Sequence, residues 1–301
     1  MALPFIPSDA GLLALQAGVV AAPRAVGDIT RLRRLRGPGW ALVPIGSIVV
    51  VVFAIRYLSD TASALTYLAL FAVPPLAAVA LAWTMRGARP LAAAIVIPLF
   101  ALAWAARTSL SGEAAAALLS ALSCVTLGVL LGAVTPSRWL KVGIVLMAVA
   151  DTWLVVSNLL QAPNAALIAA HPAGGLPRLQ SELFGSVSMG YGDLFVAALL
   201  GTALAREPRR QLGAAALTLV LAALFDLLFL VLDELPATVP VALALIVVEL
   251  WSRRGDRGAG CQCSLPPVEA GGRDSSASEV IASTPRAASS STSLASSAER
   301  A

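Results

Sequence analysis

Two aspartates carry the chemistry this sequence could do. Asp151 is the thirteenth of twenty-three residues in an apolar run over 139–161, and Asp193 is the twelfth of twenty-four in the next, over 182–205. Burying a charge in hydrocarbon is costly, so an intramembrane carboxylate calls for a function. If the two runs cross a bilayer in succession and in opposite directions, a rise of about 1.5 Å per residue puts both groups near the midplane. Two carboxylates meeting in a medium of low dielectric cannot both ionise cheaply, so the pair shares a proton. The ionised member can then deprotonate a water while the protonated member polarises a scissile carbonyl. That is the acid and base chemistry of amide hydrolysis without a covalent intermediate.

Asp193 closes the sequence Gly190-Tyr191-Gly192-Asp193, a GxGD motif. With Gly185, Ser186 and Ser188, its glycines make the first half of the run weakly helical and able to admit another backbone closely. Nothing else in the chain competes. His171 is the only histidine and stands in a polar connection, so a Ser/His or Cys/His nucleophile or a zinc site lacks material. Cys124, Cys261 and Cys263 offer no disulfide framework, and Cys261-Gln262-Cys263 is a weak metal or acylation signal. No cofactor or metal is implied. Asp226 is also embedded in an apolar run, but off-centre and without a motif, and reads as a structural polar group. The plain reading of Asp151 and Asp193 themselves is a pair of polar groups hydrogen-bonded between helices.

The elements that would position this pair are membrane spans. With 58% hydrophobic and 13% charged residues and a mean hydropathy of +0.84, the chain has too little polar surface for a water-soluble globule of its length. Its net charge of +4 comes from arginines clustered between apolar runs without aromatic interleaving, which excludes nucleic-acid binding and reads as topology signal. The expected fold is an all-α polytopic membrane protein of about nine spans: 3–22, 40–58, 61–83, 90–106, 114–134, 139–161, 182–205, 211–232 and 236–251. The count is eight if the first run, broken by Pro4, Pro7 and Asp9, lies on the membrane. Residues 1–134 read as scaffold and 139–252 as the functional half. The connection over 162–181 is too polar and too broken by proline and glycine to span, and 253–301 reads as a disordered Ser/Ala-rich tail. The positive charges follow spans one, three, five, seven and nine, which places the C-terminus in the cytoplasm. The arginine and alanine bias suggests a bacterial plasma membrane.

At these residues the chain resembles the presenilin and signal peptide peptidase family of intramembrane aspartyl proteases. Its GYGD at 190–193, the aspartate in the preceding span and Pro236-Ala237 opening the last span follow that family's order of motifs. Ala150-Asp151 stands where the family has Tyr-Asp, and Thr238 replaces the leucine of Pro-Ala-Leu. The resemblance implies that Asp151 and Asp193 are the catalytic pair and that Gly190, Tyr191, Gly192, Pro236 and Ala237 shape the substrate site. Its orientation resembles that of signal peptide peptidase, which implies transmembrane substrates with a cytoplasmic N-terminus. Prepilin peptidases also carry GxGD, but with intervening spans between their aspartates. A proton-coupled transporter could use the same carboxylates as a relay, although no repeated halves are visible. A catalytically silent relative acting as a binding protein is a third alternative.

Overall fold

An apolar run in lipid must satisfy its own backbone, and helix is the conformation that does so within one segment. The computed structural model describes residues 7–26, 36–57, 61–157, 159, 165–166, 169–170, 175–185, 187–230 and 236–260, and these are mostly helical. In chain order the helices are α1 (Pro7–Ala21), α2 (Val43–Tyr57), α3 (Thr61–Val79), α4 (Val96–Ala105), α5 (Leu110–Val134), α6 (Ser137–Val156), α7 (Tyr191–Leu204), α8 (Pro208–Asp226) and α9 (Thr238–Gly260). Short 3-10 segments lead into α2 and α4 and extend α8, and a π-turn over Ala80–Thr84 continues α3.

Four segments are long and apolar enough to cross a membrane: Pro38–Ile55, Thr61–Thr84, Leu110–Val134 and Ser137–Val156. Ser8–Ala21, Pro90–Ala105 and Tyr191–Leu204 are shorter apolar helices. Large apolar side chains such as Phe71, Leu91, Ile97 and Val156 are left exposed on the outside. An integral membrane protein presents such a surface to lipid, where exposed apolar groups carry no penalty.

The centre of the bundle is α7. Leu194, Val196 to Leu200 and Leu204 are all buried, as expected of a helix that is apolar all round. It packs against α1, α5, α6 and α8, and Val241, Ala244, Leu245 and Val248 of α9 belong to the same core. Small residues set these approaches: a Cβ on Gly128 of α5 would lie 2.9 Å from Ala198 Cβ, and one on Gly132 would lie 2.4 Å from Thr202 Cγ2. Close backbone approach through small residues is how apolar helices gain contact when lipid is as apolar as they are.

At one end of the bundle the buried Gln211 of α8 ties three chain segments together. Its Nε2 donates to Val20 O and Pro23 O, both at 2.9 Å, satisfying carbonyls at the end of α1, and its Oε1 accepts from Arg86 Nη2. Arg24 N donates to Thr84 O and Arg86 N to Ala22 O across the same junction. α9 is fastened to α6 twice, by Lys141 with Glu249 and by Thr238 with Asp151. Ten residues separate the α6 partners and eleven the α9 partners, in opposite order, so the two helices run antiparallel.

The structure corrects the sequence reading in two places. The run over 182–205 is not helical throughout: β1 (Ser181–Phe184) pairs antiparallel with β2 (Val187–Gly190), in the register Ser181↔Gly190 to Phe184↔Val187, before α7 begins at Tyr191. Gly185 in the turn has φ +63°, a conformation side-chain-bearing residues rarely adopt. The chain is therefore not purely α. At the other end α9 continues to Gly260, past the expected start of the tail at 253; residues 261–301, with Cys261 and Cys263, lie outside the described residues. So does His171.

Candidate functional site

The hairpin moves Asp193 from the middle of a span to the third residue of α7. Its Oδ2 accepts from Gly190 N at 3.1 Å, so the carboxylate sits over the first turn, where the helix dipole favours negative charge. Gly190 is extended (φ −74°, ψ 143°) and ends β2, and the first residue of α7 follows directly.

Asp151 lies on α6, five residues before that helix ends at Val156. Its Oδ2 accepts from Thr238 Oγ1 at 2.6 Å, with the backbone N–H of Thr238 beside the same carboxylate. Thr238 is the first residue of α9, so Asp151 too is held at a helix N-terminus. The two carboxylates lie within electrostatic reach of each other. Their meeting follows from adjacent packing of α6 and α7 and from both groups lying toward the ends joined by the 157–190 connection. Both groups lie near helix ends, Asp193 at the third residue of α7 and Asp151 five residues from the end of α6.

Beside Asp193 is a cavity of about 110 Å³ lined by residues of α1, β2, α7, α8 and the entry to α9. Pro236 and Ala237 form part of its wall. Gly190, Tyr191 and Gly192 do not line it. Gly190 and Gly192 are exposed at the start of α7, while the Tyr191 hydroxyl hydrogen-bonds Ser123 Oγ on α5 at 2.7 Å and anchors the motif from behind.

Three polar residues on this cavity were missed as site residues. Asp226, read as structural, and Asp9, read as a break in the first run, both line it and lie within electrostatic reach of each other. The buried Gln16 donates from Nε2 to Ala237 O at 3.1 Å. The one signal for them was a polar residue interrupting an apolar run, which does not tell where the run will pack. Among the described residues no group of three or more His, Cys, Asp or Glu is arranged to hold a metal ion.

No family model, curated protein or solved structure matches this chain.

Proposed function

We propose that the protein is an intramembrane aspartyl protease, a divergent relative of the presenilin and signal peptide peptidase family with about nine spans. The observation that carries this reading is that Asp151 and Asp193, on helices that pack together, lie within electrostatic reach of each other, with Asp193 on a cavity walled by Pro236 and Ala237. A water held between the carboxylates is deprotonated by the ionised one and attacks the scissile carbonyl, while the protonated one donates to the carbonyl oxygen. Collapse of the tetrahedral intermediate needs a proton on the leaving nitrogen, which the carboxyl that took the water's proton returns.

A transmembrane substrate hides its amides in its own helix, so it must be unwound and held extended. The extended strand β2 leading directly into α7, and the break before α9 at Pro236, supply backbone suited to strand-like pairing. With the C-terminus cytoplasmic in a bacterial plasma membrane, the substrates are transmembrane segments whose N-terminus faces the cytoplasm, such as signal peptide remnants or type II segments.

The test is cleavage of a reporter carrying one such helix by purified protein in detergent or liposomes, comparing wild type with Asp151→Asn and Asp193→Asn. Cleavage inside the helix that disappears in both variants is expected. The position of Asp9 and Asp226 on the same cavity favours a second reading, a proton-coupled transporter with a chain of carboxylates. That reading takes over if folded wild type leaves a panel of helices intact and the same substitutions abolish a proton-driven flux.

A further inference from the structure

We propose that Thr238 is a positioning residue for Asp151, fixing the orientation of its carboxylate from the first residue of α9; this rests on the protease reading above. Its hydroxyl donates to Asp151 Oδ2 at 2.6 Å, within the range for a hydroxyl on a charged acceptor, and its side chain is buried at 3% exposure. Thr238 is the first residue of α9, one past the cap position, and its hydroxyl reaches another helix. Two substituents on Cβ restrict the Thr238 rotamer, so the donor is held in place rather than selected from a mobile set.

Three further contacts make this donor a fixed point. The peptide before it is gripped from α1, where Gln16, 1% exposed, donates to Ala237 O at 3.1 Å. Val239 N donates to Pro236 O at 3.2 Å, closing the first turn around Thr238. Farther along, Lys141 with Glu249 prevents α9 from sliding along α6. Residues far apart in sequence, at 16, 141, 238 and 249, thus determine where one hydroxyl stands.

This gives the Thr238 departure from Pro-Ala-Leu a physical meaning. A leucine side chain has no donor, so it could not make the hydroxyl's bond to this carboxylate. The chain's catalysis therefore depends on a hydroxyl at 238.

The experiment compares Thr238→Ser, Thr238→Val and Thr238→Leu with wild type and Asp151→Asn in the reporter assay, separating kcat from KM and recording thermal melting in the same detergent. Hydrogen bonds to charged groups are strong enough for their loss to cost about 10–100-fold in kcat. Thr238→Val, which keeps shape and loses the donor, should show that loss with KM within about twofold; Thr238→Leu should lose at least as much. Thr238→Ser restores the donor and should recover kcat to within about fivefold of wild type. Thr238→Val cleaving like wild type beside an inactive Asp151→Asn overturns the positioning role and leaves the protease reading intact. So does a change confined to KM, or a loss that follows the melting temperature and is not recovered by serine. Active Asp151→Asn removes the protease reading, and this inference with it.

Discussion

Replacing Gly201 with alanine tests whether the close approach of α1 to α7 is what holds the carboxylate on α7 in place. A Cβ at 201 would lie 2.3 Å from Val20 O and 3.0 Å from both Cδ and Cγ of Pro23. Carbon and oxygen sit comfortably at about 3.3 Å or more, so the helices must separate by about 1 Å. The obstacle is backbone and cannot swing aside, because Gln211 Nε2 holds Val20 O and Pro23 O at 2.9 Å. Overpacking of this kind costs about 1–3 kcal/mol, offset by about 0.5–1 kcal/mol for alanine over glycine inside a helix. A net loss of about 1–2 kcal/mol corresponds to roughly 2–8 °C in Tm for a chain of this size. Asp193 lies two turns before Gly201 on the same helix, and a misplacement of about 1 Å can cost on the order of 100-fold in rate. The assay is thermal melting together with reporter cleavage in one detergent. Gly18→Ala and Gly213→Ala are the controls, since nothing lies within 4 Å of a Cβ at either position; both should melt at or slightly above wild type. If Gly201→Ala melts and cleaves like these controls, close approach is not what positions α7.

Two further outcomes follow from the second layer of contacts. Tyr191→Phe removes the 2.7 Å bond to Ser123 Oγ and should lower stability by about 1 kcal/mol. Ser123→Ala should lose a similar amount and the double variant less than the sum, which a melting-based cycle measures; full additivity would place the two side chains apart. Gln16→Leu releases Ala237 O and should lower kcat through Thr238, so its effect should shrink when Thr238→Val is already present; equal effects in both backgrounds would separate α1 from the site.

Helix positions were legible because apolar runs in this chain are long and their ends are marked. Ser109 caps α5, its Oγ accepting from Gly112 N at 3.4 Å, and Pro208 opens α8 at a position where its missing N–H costs nothing. Even Pro74 and Pro75 lie inside α3 without ending it, as transmembrane packing allows. The carboxylate pair was legible for the same reason, since a charge in an apolar run is conspicuous. The hairpin was not. Over 182–190 the apolar content satisfies a hydropathy window whether the chain is helix or strand, and the left-handed turn at Gly185 decides between them. Asp9, Gln16 and Asp226 could not be assigned to the cavity because no local pattern records that α1 and α8 pack against each other and flank α7. Thr238 was visible only as a departure, since its partner is 87 residues away.

On the protease reading, the hairpin also bears on how water would reach the two carboxylates. Had the run over 182–205 been one helix with Asp193 at its centre, water would have had to cross about half the hydrocarbon core. Instead Asp193 is in the first turn of α7 and Asp151 only five residues, about 7.5 Å, from the end of α6. Both carboxylates therefore lie toward the end where the polar connection enters, and the adjoining cavity carries Asp9, Gln16 and Asp226 as further polar wall. Water needs several polar partners to remain in a cavity of this size, and these groups supply them. On the protease reading, the small, weakly helical residues before Asp193 would serve hydrolysis in two ways. They free an extended backbone beside the carboxylate, and they end the helix early enough to bring the carboxylate within reach of water.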